Sequence, residues 1–294
     1  MLLFLSQLII GLQLGSIYAL IALGYSMVYG IIMLLNFAHG DIIMVGGYIA
    51  VLSLAQGLHP GIAVALAIAG CVLVAATVEK LAYKPLRAAP RISLLITAIG
   101  VSMLLQNLAQ FFFSANARPF PASAILPSES IAIAPGLQTS VTALATIAAA
   151  VASMAALTLL VQRTKMGKAM RAVSEDTGAA QLMGIDVNRV ISFTFAIGAS
   201  LAGIGSILYC CRYPLVSPTM GALPGLKAFV AAVLGGIGSI PGAMVGGFAI
   251  GMAEVLATSL RLSTWTDGIV FAILIVILLV KPTGFLGRSI MEKV

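Results

Sequence analysis

"NFAHGDIIMVGGYIA", residues 36 to 50, places Asn36, His39 and Asp41, and then the pair Gly46-Gly47, inside an otherwise apolar tract. In hydrocarbon each freed backbone N–H or C=O must find a partner, so a helix is broken only where protein or a water-filled cavity takes up those groups. Asn36, His39, Gly40 and Asp41 therefore read as a junction between membrane segments. Asp41 has two readings. It caps the N-terminus of the helix that "IIMVGGYIA" opens, favoured by the helix dipole, or it faces a pathway or gate. A second stretch, "GSIPGAMVGGFAIGM" from Gly238 to Met252, sets Met244-Val245-Gly246-Gly247-Phe248 against Met44-Val45-Gly46-Gly47-Tyr48. Small residues let helices approach closely in a bilayer, which is one account of both glycine pairs. The other is an internal repeat whose short or interrupted segments flank a translocation pathway. "VLGGIGSIPGA", residues 233 to 243, suits a bend beside such a path. The candidate pathway or gate residues are thus Asn36, His39, Asp41, Gly46, Gly47, Gly235, Gly236, Pro241, Gly246 and Gly247.

Outward from these stretches the whole chain is apolar. Its 294 residues are 61% hydrophobic and 9% charged, with a mean hydropathy of +1.12. That leaves too few polar groups to cover a water-soluble globule. Runs near the length that spans a bilayer as helix suggest segments at 2–22, 24–36, 40–56, 61–82, 92–113, 141–162, 190–210, 226–237, 242–259 and 268–281. Two of them, 24–36 and 226–237, are short, and each precedes a glycine pair. Short alternating segments of a barrel are not seen. The fold class expected is all-α: one polytopic transmembrane domain over residues 1–294. It is read as a bundle of about eight to ten membrane segments, with short or broken helices and an internal repeat. Re-entrant hairpins in place of the short crossings stay open.

The net charge of +7 is less informative than its distribution. Before Glu79 the only charged side chain is Asp41. Basic residues cluster as Lys80, Lys84, Arg87 and Arg91; as Arg163, Lys165, Lys168, Arg171 and Arg189; and as Lys281, Arg288 and Lys293. Short loops rich in Lys and Arg stay in the cytoplasm, so residues 80–91, 163–189 and the tail are placed inside. "QGLHP", the Pro- and Ser-rich stretch 114–140 and "CRYPLVSPTMGALPG" are placed outside, with Arg118, Arg212, Lys227 and Arg261; the stretch 114–140 is expected to pack as an ordered cap or loop. The basic groups punctuate apolar spans and form no continuous patch, which argues against nucleic acid as a partner and for the lipid bilayer. The first 25 residues carry no basic n-region or clean cleavage site and read as a retained membrane helix. Cys71 and the adjacent Cys210 and Cys211 make no disulfide framework.

Catalytic signatures are missing: there is no H-E-x-x-H, no G-x-S-x-G, no metal-ligand spacing and no phosphate-binding G-x-x-x-x-G-K-[ST]. Metal and cofactor sites in this chain are read as none. If ATP drives the protein, another chain must bind it. His39 as a proton relay has only one nearby carboxylate in support. Glu254 in "GMAEVLATSL" reads as a packing or cavity-facing acid.

The longest polar interruption on the inner side is "TKMGKAMRAVSEDTGAAQLMGIDVNRV", residues 164 to 190. Met166, Met170, Val173 and Thr177 recur at helical spacing, with Lys165, Lys168 and Arg171 on another face. Asp176 suits the cap of a second short helix, and Gly184 its left-handed C-terminal position with Ile185 packing back. An amphipathic helix lying on anionic lipid is one reading, and a docking loop for a cytoplasmic partner is the other.

"AAQLMG", Ala179 to Gly184, resembles the Ala-Ala-x-x-x-Gly core of the loop by which ABC importer permeases engage their ATPases, although Gly178 stands where an acid is expected, with Glu175 and Asp176 nearby. Residues 11–41, "MGKAMRAVSEDTGAAQLMGI" at 166–185 and residues 225–254 are similar to the LivH family, the permeases of high-affinity branched-chain amino acid importers. That resemblance runs nearly end to end. It implies a permease subunit in the bacterial inner membrane that carries branched-chain amino acids such as leucine inward by alternating access. The implied partners are a LivM-like second permease, LivG-like and LivF-like ATPases holding ATP and Mg, and a periplasmic binding protein. It also implies an ATPase-coupling role for Gly167, Lys168, Arg171, Glu175, Asp176, Ala179, Ala180, Gly184 and Ile185. A related permease for urea or short amides, an ion-coupled secondary transporter and a passive channel are the alternatives.

Overall fold

The computed structural model describes residues 2–33, 35–87, 89–127, 129–134 and 137–287. Arg288 and Lys293, assigned above to the inner tail, lie outside the described residues. Among the described residues seven helical stretches are long and apolar enough to cross a membrane: Phe4–Ile32, Pro60–Leu86, Ile92–Phe113, Val141–Arg163, Val187–Arg212, Ile240–Ser259 and Ser263–Val280. Two apolar helices are shorter, His39–Ala55 and Ala222–Gly235. In chain order the helices are α1 (Leu2–Ile32), α2 (His39–Ala55), α3 (Pro60–Val78), α4 (Arg91–Phe113), α5 (Ala122–Ile125), α6 (Val141–Arg163), α7 (Lys165–Glu175), α8 (Thr177–Leu182), α9 (Val187–Arg212), α10 (Ala222–Gly235), α11 (Ile240–Ser259) and α12 (Thr266–Val280). A π turn, Glu79–Tyr83, and a 3₁₀ turn, Lys84–Leu86, extend α3.

One expected boundary is absent. Segments 2–22 and 24–36 form a single helix, α1, which runs through Gly24 and ends at Ile32, just before Met33 takes φ 51°. Gly24 is needed there for contact: a Cβ on it would meet His39 Cε1 at 2.7 Å and the Gly198 carbonyl at 3.1 Å. The break falls later, at residues 33–38.

α1, α9 and α11 are the most buried long helices, whereas α3, α4, α6 and α12 expose most of their length. Ile17, Leu20, Ile21 and Leu23 of α1 are fully enclosed, and α1 packs on α9, α10 and α11. Apolar side chains such as Ile96, Met103 and Phe111 of α4 and Leu279 of α12 point outward, as suits hydrocarbon or a neighbouring chain.

The two ends of the bundle differ. Arg87 meets Asn188, and Gly30 approaches Gly238. The C-terminal turn of α1, Arg87, the start of α4 and Val173–Thr177 line one open cavity of about 690 Å³. Lys80, Lys84, the 164–190 loop and Lys281 belong to this basic end. At the opposite end the described residues of 114–140 form a cap. β1 (Arg118–Pro119) pairs antiparallel with β4 (Leu215–Val216), β2 (Ser130–Ala134) pairs with β3 (Leu137–Ser140), and Phe120, next to β1, is buried in one cluster with Val216. Lys227, expected in an outer loop, is instead the sixth residue of α10 and is largely enclosed.

Candidate functional site

The two short helices start against each other. Gly40, in the first turn of α2, lies so close to α10 that an added Cβ would meet Gly225 Cα at 3.2 Å and the Gly221 carbonyl carbon at 3.3 Å. From this meeting point α2 runs toward the end that carries β4, and α10 toward the basic end, where Gly236 abuts Gly287. At 1.5 Å per residue, neither reaches the roughly 30 Å of a hydrocarbon core. They form one interrupted crossing with paired N-termini at its middle, enclosed by α1, α3 and α9, which is where freed backbone groups are tolerated.

Side chains from neighbouring helices hold α2 at this junction. Ser206 Oγ of α9 donates to the Ile43 carbonyl at 2.6 Å, and Cys71 Sγ of α3 donates to the Ile42 carbonyl at 3.3 Å. Asn36 Oδ1 accepts the Tyr83 hydroxyl at 2.6 Å. Asp41 lies in the first turn of α2, so its charge favours the dipole, but it does not cap. The N-cap residue is Ala38, without a side-chain hydrogen bond, and Asp41 Oδ1 instead accepts from Gln106 Nε2 of α4 at 2.9 Å. His39 is buried edge-on to Tyr25, with ring centroids 4.8 Å apart, and its Nε2 has no partner among the described residues.

The glycine pairs do not meet one another. Added Cβ atoms would bring Gly46 within 2.9 Å of Cys71 Sγ and Ser206 Oγ, and Gly47 within 3.2 Å of Cys210 Sγ. Gly246 abuts the α10 backbone at Ala231 and Gly235, and a Cβ on Gly247 would lie 2.5 Å from the backbone of Ala19 in α1. Each pair thus sits at a helix–helix contact. Gly235 packs against Gly242. Gly236 takes φ 102° to end α10, and Pro241 lies in the first turn of α11, which Ser239 caps through Gly242 N–H at 3.2 Å. The repeated Met-Val-Gly-Gly motif therefore marks two packing contacts, while the paired short helices are α2 and α10.

The 164–190 loop is two capped helices. Thr164 Oγ1 accepts Gly167 N–H at 2.9 Å, and α7 lies so close to α6 that Gly167 has no room for a side chain beside Leu160 and Val161. Met170 and Val173 are buried, Lys168 and Arg171 face outward, and Arg171 donates to the Val161 carbonyl. Thr177, assigned to the apolar face, is exposed, because α7 ends at Glu175 and the periodicity does not cross the break. Asp176 caps α8 by accepting Ala179 N–H at 2.9 Å. Ala180 packs inward, Gly184 takes φ 80°, and Ile185 N–H closes the turn on the Ala180 carbonyl at 3.0 Å. At the tip Leu182 is 91% and Met183 82% exposed, an apolar knob that the sequence pattern did not single out.

Two buried ionic clusters also escaped the sequence reading. Glu254 of α11 pairs with Lys227 of α10 and accepts the Tyr18 hydroxyl at 2.7 Å, and Lys227 reaches Asp267 at 2.6 Å. Glu79 pairs with Arg87 at the other end of the bundle. Glu254 and Glu79 were the acids to query, since an acid inside a span pairs with a base or an aperture.

The family described as "Branched-chain amino acid transport system / permease component" matches residues 7–279. The chain is 41% identical to the high-affinity branched-chain amino acid transport system permease protein LivH of Salmonella typhimurium, over 99% of this chain and 98% of that protein. It is 41% identical to the corresponding BraD of Pseudomonas aeruginosa, again over 99% and 98%. A probable branched-chain amino acid transport permease of Methanocaldococcus jannaschii is 30% identical over 93% of this chain and 89% of that protein.

Proposed function

The chain belongs to the branched-chain amino acid transport permease family, and from that premise we propose that it is the membrane subunit of an ATP-driven importer carrying leucine, isoleucine or valine inward. It is a transport subunit, not an enzyme. The ATP is hydrolysed on partner chains, LivG-like and LivF-like ATPases, while a LivM-like permease completes the path and a periplasmic binding protein delivers substrate. The basic end faces the cytoplasm of a bacterium across the inner membrane.

The observation that carries the docking part of this reading is the 164–190 loop. Its two helices are fixed by three caps, at Thr164, Asp176 and Gly184, and it presents Leu182 and Met183 bare at its tip. A rigid loop with an exposed apolar knob suits insertion into a partner's groove, and the basic residues of α7 suit an acidic rim around it. Motion of the ATPases would then act on α7 and α8, and through α9 on the interrupted crossing.

The test is Leu182→Glu combined with Met183→Glu in the assembled complex. Neither side chain is packed within the chain, so the variant should fold and keep its partner permease. The expected outcome is loss of the ATPases on co-purification. Retention of the ATPases with normal stimulated hydrolysis would refute docking at this tip.

A further inference from the structure

The break before α2 and the base of α9 are joined by a chain of side chains, of which the Tyr83–Asn36 bond at the junction is one end. Glu79, 0% exposed in the π turn, pairs with Arg87 and accepts Ser192 Oγ at 2.8 Å. Arg87 Nη1 donates to Asn188 Oδ1 at 2.6 Å, and Asn188 lies in the first turn of α9, where Asp186 caps the helix directly after the inner loop. Tyr83, 1% exposed, lays its ring beside Phe195 with centroids 5.7 Å apart. Asn188, Ser192 and Phe195, spaced by four and three residues, are one face of α9; Ser192 and Phe195 meet the π turn, and Asn188 meets Arg87 just beyond it. On its other side the Tyr83 hydroxyl donates to Asn36 Oδ1 at 2.6 Å. The Asn36 carbonyl in turn accepts the N–H of His39, the first residue of α2, at 3.0 Å.

We propose that Glu79 and Tyr83 are positioning residues for transport: they tie the base of α9 to the N-terminus of α2, so that displacement of the inner loop moves the interrupted crossing. This rests on the reading of the 164–190 loop as the ATPase contact. A buried carboxylate inside an apolar span is costly, and π turns recur at functional sites. Here the turn presents Glu79 and Tyr83 to the same helix while Tyr83 also holds the break.

Tyr83→Phe removes only the hydroxyl and keeps the ring against Phe195. In proteoliposomes holding the full complex, with leucine-loaded binding protein and ATP, uptake and hydrolysis are measured on the same sample. The expected result is hydrolysis near wild type with leucine taken up per ATP reduced about fivefold, the loss that one buried hydrogen bond carries. Asn36→Ala should give the same ratio, and the double variant should be no worse than either single. An unchanged ratio, whether both rates are normal or both fall together, would overturn the proposal, as would multiplied losses in the double variant. A wild-type complex without stimulated hydrolysis or uptake would instead overturn the functional reading, and the inference with it.

Discussion

Removing the Lys227 ammonium would leave Glu254, 5% exposed, with the Tyr18 hydroxyl as its remaining hydrogen-bond partner. An unpaired buried charge costs about 3–5 kcal/mol, whereas replacing both partners by apolar groups is often neutral. Lys227→Met is therefore expected to lower the thermal midpoint of the purified complex sharply, and Lys227→Met with Glu254→Met to restore most of it. A double variant as unstable as the single would show that the instability does not come from an unpaired Glu254 carboxylate. The glycine pairs separate in a similar way. A methyl group on Gly246 meets the α10 backbone, which cannot rotate away, but on Gly46 it meets the short side chains of Cys71 and Ser206. Gly246→Ala should lose assembly in detergent while Gly46→Ala keeps most of it, with overpacking costs of about 1–3 kcal/mol. Equal loss by size-exclusion chromatography would contradict the distinction. That Gly46, Gly47, Gly246 and Gly247 let helices approach closely was one of the two readings of the repeated Met-Val-Gly-Gly. What they touch was not legible, because the contacts come from helices far away in sequence. Lys227 and Glu254 likewise share no periodicity that would pair them.

At the scale of elements, the inner loop was the most legible part, because its caps are local chemistry. Asp176 and Gly184 have the geometry their residue types suggested, with Gly184 at φ 80° and open space around it. A side chain at Gly184 thus meets no neighbour, and the cost of Gly184→Val is confined to backbone strain of about 1–2 kcal/mol. The variant is expected to insert and keep its partner permease but to lose most of the ATP hydrolysis that loaded binding protein stimulates; near-normal stimulation would sink the loop's coupling role. The boundary of α1 was not legible. Gly24 looks like a breaker in isolation, yet it is a contact for His39, and the chain breaks instead after Met33. Of the two readings of Asp41 the cap fails, because α2 starts two residues earlier, at His39, which leaves Asp41 inside the first turn with its carboxylate accepting from Gln106 of α4.

For the whole molecule, composition alone decided membrane class, and the Lys and Arg clusters gathered residues 80–91 and 163–189 at one end of the bundle. The interrupted crossing was legible only as a need for one. That α2 and α10 complete each other follows from a contact between Gly40 and Gly221 across most of the chain, which no local pattern encodes. In this arrangement the junction is packed backbone to backbone, and the outward faces of α4 and α12 carry apolar side chains that a bilayer or second permease would cover. Passage therefore requires movement of packed helices, which in the proposed importer is driven by the partner ATPases. The most direct measurement is leucine uptake into proteoliposomes holding either this chain alone or the chain with its partner permease, both ATPases, loaded binding protein and ATP. Uptake is expected only from the complete complex with hydrolysable ATP. Leucine accumulation by the chain alone, or by the complex without ATP, would contradict it.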